Sequence, residues 1–437
     1  MAQCRPGAGS LSDTIFALSS GRPPAAVAVI RSSGPDAFAA AEALAGPLPL
    51  PRRATLRSLH DPASGALLDQ ILLLRFDSPA SATGEDIVEY QCHGGRAVVC
   101  SILEALAAQP GMRAAEPGEF TRRAFRNGRI DLTEAEGLAD LLEAETESQR
   151  RAALLSADGG LRRVVEGWRE RVVVLSARAE AAIDYVDDEE ETATDTRPLA
   201  TEARALAAEL AEWLDRPRAE LLKDGIRVVA AGPPNSGKSS LFNALSQSER
   251  AIVTDIPGTT RDIIEIPIAI DGVPFVLIDT AGLRDSDDTV ERIGIDRAKD
   301  EIGKADILLW LGEAEGAPGH RQLLILHPRA DLPDRIHPAV GALPVSAVTG
   351  EGIDLLTREL LARANALLPG EGEIALNQRQ AIEIKRASDA LCQLDMADIV
   401  ILADSLRRAR EALDRITGRV GMDDMLDALF GRFCLGK

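Results

Sequence analysis

The stretch Gly232-Pro233-Pro234-Asn235-Ser236-Gly237-Lys238-Ser239 constrains the fold of this chain more than any other. It is a complete GxxxxGK[ST] phosphate loop. Its glycines let backbone N–H groups turn inward onto phosphate oxygens, Lys238 brings a point charge to the β- and γ-phosphates, and the Ser239 hydroxyl is a Mg²⁺ ligand. A strand-like run, Arg227-Val228-Val229-Ala230-Ala231, precedes it and an apolar helical run, "SLFNAL", follows. That context requires a nucleotide-binding α/β sheet, not a chance match to a short pattern.

Other elements of an NTPase stand at fitting distances. Val276-Leu277-Ile278 reads as a buried strand ending at Asp279-Thr280-Ala281-Gly282, a DxxG arrangement about 40 residues past the loop and the expected source of a metal-site carboxylate and a γ-phosphate-sensing glycine. Between them, Asp255-Ile256-Pro257-Gly258-Thr259-Thr260-Arg261-Asp262 offers threonine hydroxyls for a first switch loop. On the base side, Ser346-Ala347 follows the strand-like "ALPV", and the apolar run Leu323-Leu324-Ile325-Leu326 leads into His327-Pro328-Arg329-Ala330-Asp331, where a GTPase carries Asn-Lys-x-Asp. Asp331 can still accept from guanine N1–H and N2–H₂, a pairing that adenine cannot satisfy; the alternative is that it caps a loop. Leu283 fills the water-positioning place after the DxxG glycine and has no hydrogen-bonding group, which leaves Asp285, Asp287, Asp288 and Glu291 as nearby carboxylates able to hold a water.

Composition narrows the rest. With 69 acidic against 49 basic residues the net charge is -20, which excludes a protein that grips a nucleic acid backbone with its whole surface; RNA contact must be local or shared with a basic partner. Five scattered cysteines with no CxxC pair predict reduced thiols and no structural zinc. No apolar run approaches the roughly 20 residues of a membrane helix, and the start of the chain lacks a secretory pattern, so a cytoplasmic location is expected.

The 437 residues predict several domains. Up to about residue 118, β-like runs such as Ala25–Ile30 and Gln70–Phe76 alternate with Gly/Pro punctuation and a helical stretch near Asp36–Ala45, reading as a small α+β domain. Thr133-Glu134-Ala135-Glu136 fits a capping box and predicts a helix start. Leu161, Val164, Val165, Trp168, Val172 and Leu175 share one face of a long helix, and Leu402, Leu406, Leu413 and Ile416 repeat the pattern. The two helical flanks of residues 225–368 are therefore expected to pack together, leaving the middle as an inserted domain. The acidic run Asp187–Glu191 and the segment "LLPGEGE" read as connections.

Six stretches in one order, "TGEDIVEYQCHGG", "PGEFTRRAFRNGRIDLTEAEGLADL", "GPPNSGKSSLFNAL", "TDIPGTTRD", "DTAGLR" and "ERIGID", together with the terminal "FCLGK", resemble the MnmE (TrmE) family of tRNA-modification GTPases over nearly the whole chain. The resemblance implies a multidomain α/β protein: an N-terminal α+β folate-binding and dimerising domain at 1–118, a discontinuous α-helical domain at 119–222 and 369–437, and an inserted Ras-like P-loop G domain with a doubly wound sheet at 223–368. It implies a homodimer working with the FAD-dependent partner MnmG (GidA) to add a carboxymethylaminomethyl-type group at C5 of the wobble uridine of certain tRNAs, the one-carbon unit coming from 5-formyl- or methylene-tetrahydrofolate.

Carried onto this chain, the resemblance implies GTP contacts from Asn235, Ser236, Gly237, Lys238, Ser239 and Ser240, from Thr254, Asp255, Ile256, Pro257, Gly258, Thr259 and Thr260, from Asp279, Thr280, Ala281 and Gly282, and from Asp331, Ser346 and Ala347. Mg²⁺ falls on Ser239 and Thr260, and K⁺ on Asn235, Thr254, Ile256 and Thr259. Glu291 becomes the residue that positions the attacking water, through a bridging water, and folate falls on Arg31, Glu89, Arg129 and Lys437. Cys434 is implied beside the reacting carbon, where spacing alone leaves open a frayed tail thiol or a small buried hydrophobe. His93, followed by two glycines, reads as a satisfied turn histidine.

The chain departs from the family's pattern in two places. The Asn-Lys pair of the guanine signature is absent, and Gly312–Arg321, with three glycines and a proline, is too short and broken for a crossover helix. Both predict a trimmed G domain with weaker or altered nucleotide selectivity. Two other readings remain at this point: a ribosome-assembly GTPase of the Era/Der type, separated by folate binding to residues 1–118, and a scaffold that has lost turnover, separated by its hydrolysis rates with GTP and ATP.

Overall fold

The computed structural model describes residues 13–184, 197–248, 250–253, 264–279, 299–332, 341–370, 372–393, 399–420, 426, 429–431, 433 and 436. The chain divides into two compact units, Met1–Ala139 with Thr417–Lys437, and Asp140–Ile416.

The first unit is built on six strands: β1 (Thr14–Leu18), β2 (Val27–Ser33), β3 (Thr55–His60), β4 (Leu67–Phe76), β5 (Ile87–His93) and β6 (Met112–Ala114). They are ordered β3-β4-β5-β2-β1-β6. Helices α1 (Ala37–Ala45) and α2 (Arg96–Ala107) share a core with Ile30, Ile71, Leu73, Val88 and Tyr90, which come from alternate positions along their strands as a half-buried sheet requires. The same unit holds α3 (Glu119–Arg126) and the start of α4 (Leu132–Glu143).

The start of α4 differs from expectation. Asp131, not Thr133, is the cap: its Oδ1 accepts from Glu134 N at 2.9 Å, and Glu134 Oε2 accepts from Asp131 N at 2.7 Å. The reciprocal box thus begins two residues earlier, and Thr133 lies inside the first turn with its hydroxyl donated to Asp131 at 2.8 Å.

The end of the chain packs within this unit. Phe430 and Phe433 are 0% and 5% exposed and form a tilted aromatic series with Phe125. Gly118 approaches the Phe430 carbonyl so closely that a Cβ on it would lie 2.2 Å from the oxygen.

In the second unit α5 (Glu147–Ala157), α6 (Gly160–Asp184), α7 (Arg197–Leu214) and α8 (Glu220–Asp224) lead into β7 (Ile226–Ala231) and α9 (Lys238–Ser246). Strands β8 (Ala251–Val253), β9 (Ile264–Ile270), β10 (Val273–Asp279), β11 (Ile307–Trp310), β12 (Leu323–Pro328) and β13 (Leu343–Val345) follow, then α10 (Ile353–Leu367), α11 (Gln378–Cys392) and α12 (Ile399–Thr417). The seven strands run β13-β12-β11-β7-β10-β9-β8. β13, β12, β11, β7 and β10 are mutually parallel; β9 runs antiparallel to β10, and β8 antiparallel to β9. Leu241, Phe242, Leu356 and Leu360 of α9 and α10 cover one face, while Val229, Val276, Ile278 and Leu308 form a core on the other.

β11 and β12 are parallel neighbours joined by residues 311–322, which hold only a 3₁₀ turn at Ala314–Gly316; no helix crosses there, as the Gly/Pro content predicts. The periodic apolar residues of α6 meet those of α12: Leu161, Val165, Trp168, Val172 and Leu175 share one core with Leu402, Leu406, Leu413 and Ile416.

Candidate functional site

The strand order of the large sheet reverses beside β7, whose neighbours are β11 on one side and β10 on the other. In an open parallel sheet this switch point, outside the carboxyl ends of the strands, is where a ligand crevice forms. Several of the described residues picked out from sequence stand there. The phosphate loop leaves the carboxyl end of β7, Asp279 ends β10, the loop carrying Asp331 follows β12, and Ser346 follows β13.

The phosphate loop takes its shape from unusual backbone angles. Asn235 and Gly237 are left-handed, with φ of 59° and 95°, and Gly232 has φ 150°. A Cβ on Gly232 would fall 2.8 Å from the Leu311 carbonyl oxygen, so only glycine lets β7 turn out beside β11. Helix α9 begins at Lys238, which aims the free N–H groups of its first turn at the loop. Lys238 is 6% exposed, and its Nζ donates to the carbonyls of Gly232 at 3.2 Å and Pro233 at 2.9 Å. The Ser239 hydroxyl donates to Asp279 Oδ2. A hydroxyl and a carboxylate on two adjacent elements therefore converge at one point, a donor set of hard oxygens that fits Mg²⁺.

On the base side, Ser346 is fully buried and its Oγ accepts from the backbone N–H groups of Val348 and Thr349 at 3.3 and 3.2 Å, which fixes the loop that begins with Ser346 and Ala347. Pro328 ends β12 opposite Val345. Arg329, which sequence reasoning passed over, has a left-handed φ of 61°, and its Nη2 donates to the Asn235 carbonyl at 2.6 Å. It braces the loop after β12 against the phosphate loop. Ser236 and Ser240 belong to the same loop-and-helix segment. The predicted site residues Thr254, Asp255, Ile256, Pro257, Gly258, Thr259, Thr260, Thr280, Ala281, Gly282 and Glu291 lie outside the described residues.

A second cluster lies in the first unit. Arg31 and Glu89 face each other across β2 and β5, and Arg31 Nη2 meets Glu89 Oε1 at 2.7 Å. The Arg31 guanidinium also lies 5.8 Å from the Phe120 ring centroid. Glu89 and Arg129 line a cavity of about 320 Å³ together with Arg52, Phe76, Ser81 and Ile87. Arg52, another residue missed from sequence, stacks its guanidinium 5.5 Å from the Phe76 centroid.

The loop over this cavity is held by buried charge. Arg123, 4% exposed, donates to the Asp13 carbonyl at 2.8 Å, to Glu85 Oε2 at 3.1 Å and to Glu119 Oε1 at 3.1 Å. Ser33 Oγ donates to Glu85 Oε2 at 2.7 Å, and Asn127 Nδ2 to the Thr83 carbonyl at 2.7 Å. Burial raises the Glu119 carboxyl, but its bonds from Arg113 and the Glu116 N–H outweigh that and hold it below its ordinary value.

Of the remaining candidates, Cys434 and Lys437 lie outside the described residues, though Phe433 and Gly436 beside them are within the first unit. His93 has its ring Nδ1 2.8 Å from Asp69 Oδ1, and its backbone N–H donates to Asp69 Oδ2 at 2.8 Å. Burial pushes the Cys92 thiol up to about 11, which makes it inert at neutral pH.

Residues 132–434 match the family model described as the MnmE helical domain, and residues 14–129 the model described as the GTP-binding protein TrmE N-terminus. A curated tRNA modification GTPase MnmE of Erythrobacter litoralis is 54% identical over 432 residues, 97% of this chain and 100% of that protein. The protein of the same name from Novosphingobium aromaticivorans is 52% identical, covering 98% and 100%, and that from Rhizorhabdus wittichii 54%, covering 99% and 98%.

Proposed function

The chain belongs to the MnmE family, and from that premise we propose that it is a GTP hydrolase acting in tRNA modification. The observation that carries the reading is the convergence of Lys238, Ser239 and Asp279 at the switch point of the sheet. Lys238 would bind the β- and γ-phosphate oxygens, and the turned backbone of residues 235–237 would cradle them. Ser239 and Thr260 would hold Mg²⁺, with Asp279 beside Ser239; the ion would supply positive charge against the negative charge of the phosphates. Asn235, Thr254, Ile256 and Thr259 would hold K⁺ where another GTPase places an arginine finger. Glu291 would orient the attacking water through a second water, since Leu283 has no group to do so. Asp331 would accept from the guanine edge, and Ser346 and Ala347 would close on the base.

The cavity in the first unit fits a folate. Glu89 offers an acceptor to the N–H edge of a pterin, Phe76 an apolar face, and Arg52 and Arg129 cations for the acidic tail. Arg31 would hold Glu89 in place through their ion pair, and Lys437 would complete the site with Cys434 near the reacting carbon. On this reading the chain has an N-terminal folate-binding domain at 1–118, a G domain at 223–368, and a helical domain from the segments 119–222 and 369–437. It dimerises, joins an FAD-dependent partner, and drives carboxymethylaminomethyl-type addition at the wobble uridine of certain tRNAs, with G domains that pair on binding GTP. The location that fits this role is the cytoplasm; no helix among the described residues is long and apolar enough to cross a membrane.

The test is hydrolysis of GTP and ATP by the full chain with and without K⁺, beside titration with 5-formyltetrahydrofolate. Selective, K⁺-stimulated GTP turnover and saturable folate uptake are expected; no turnover with either nucleotide overturns the reading.

A further inference from the structure

The nucleotide-binding sheet is joined covalently to the helices of its unit through α8 before β7 and through the segment after α10. Besides these connections and the packing of Ala152, Leu221 and Leu222 against the sheet's core, a polar contact lies far from both in sequence: the N-terminus of α5 grips the turn between β9 and β10. Ser148 donates twice to the Gly272 carbonyl, from its backbone N at 3.3 Å and from Oγ at 2.7 Å. Gly272 is left-handed, with φ 80°, and a Cβ on it would already touch Glu147 Cβ at 3.4 Å.

The gripping end is stiff. Thr146 caps α5 in a reciprocal box with Gln149, and Gln149 Nε2 donates onward to the Leu222 carbonyl at 2.9 Å. Lys223 of α8 reaches Asp140 at 2.6 Å and Glu143 at 3.2 Å.

The gripped strand is stiff too. All residues of β10 from Val273 to Asp279 are buried, and it pairs with β7 on one side and β9 on the other. Its first end carries the turn held by Ser148, and its last residue, Asp279, takes the Ser239 hydroxyl. A seven-residue strand spans about 20 Å, so β10 is a rod between the nucleotide site and the helices.

We propose that Ser148 is a positioning residue whose bond to Gly272 transmits the nucleotide state, sensed at Asp279, along β10 into α5 and the helical core. The inference rests on the GTPase reading above. A shift at one end of a doubly paired buried strand cannot be absorbed within the strand without breaking its ladders, so it appears at the other end as a displacement of the turn. Without the hydroxyl only the longer backbone bond at 3.3 Å remains, so the turn is held more loosely and follows the strand less tightly into α5.

The chain supplies its own reporters. Of its three tryptophans, Trp168 and Trp213 stack edge to face at 5.2 Å in the helical core, and Trp310 ends β11 beside the phosphate loop. In full-length protein carrying Trp310→Phe, the remaining emission reports on the helices alone. The experiment compares that emission with GDP and with a non-hydrolysable GTP analogue, and measures analogue affinity with a fluorescent nucleotide, for Ser148, Ser148→Ala and Ser148→Thr. The expected result is a nucleotide-dependent change that Ser148→Ala reduces about fivefold and Ser148→Thr retains, with affinity altered less than about twofold. A full change in Ser148→Ala, or no change in the Ser148 protein although it binds the analogue, overturns the proposal. No nucleotide binding by the Ser148 protein overturns the GTPase reading and the proposal with it.

Discussion

Gly436 lies so close to Leu18 that a Cβ on it would sit 2.1 Å from the Leu18 carbonyl oxygen, and its φ of 91° is one that glycine alone adopts freely. The end of the chain is thus keyed to the end of β1, next to the strand pair that carries Arg31. Gly436→Ala adds a backbone cost of about 1–3 kcal/mol to a contact with no room to relax. Carboxypeptidase is expected to trim the variant faster than the parent, with wobble modification falling in step; trimming at the parental rate would refute the keyed tail.

Arg329 on Asn235 gives a second expectation. The contact is exposed, so its worth is at most about 1 kcal/mol after solvent screening. Arg329→Ala should weaken GDP binding up to about fivefold, while Arg329→Lys keeps part of the brace. Calorimetric titration measures both, and a loss of a hundredfold or none at all in Arg329→Ala would not fit.

Leu406 is 1% exposed in the core shared by α6 and α12. Leu406→Ala removes its packing and leaves a cavity, at a cost of about 2–5 kcal/mol. Denaturant unfolding should show that loss in the second unit while the first keeps its midpoint.

Much of this was legible in advance, for physical reasons. The face Leu161, Val165, Trp168, Val172 and Leu175 could be read because burial on one side of a helix writes a 3.6-residue period, and the phosphate loop because its chemistry needs neighbours in sequence. The cap of α4 was misplaced because Asp131 with Glu134 and Thr133 with Glu136 satisfy the same spacing rule, and it is the earlier pair that closes the box. Arg123 was missed because two of its partners, Glu85 and Asp13, are distant in sequence, and the third, Glu119 one turn away, makes an i,i+4 pair of the kind that ordinarily marks an exposed helix face. Arg329 and Arg52 carry left-handed backbones on a residue type that gives no hint of it.

The Arg113–Glu119–Arg123 network sets an acid limit. Glu119 is held below its ordinary 4.5, so its contribution is fully present at neutral pH, begins to fade as pH falls past 4.5, and is lost as pH drops through the depressed folded value. Unfolding free energy of the first unit should decline over that acid range, and Glu119→Gln should flatten the decline while lowering stability at pH 7. An unchanged acid profile would remove the network from the account.

The central claim, that phosphate binding by residues 232–239 drives a tRNA modification, is tested most directly by nucleoside analysis of tRNA from cells lacking this chain and complemented with it or with Lys238→Ala. The account predicts that the wobble modification disappears in the deletion, returns with the parent, and fails to return with Lys238→Ala. A full return with Lys238→Ala, or modification that persists without the chain, would contradict it.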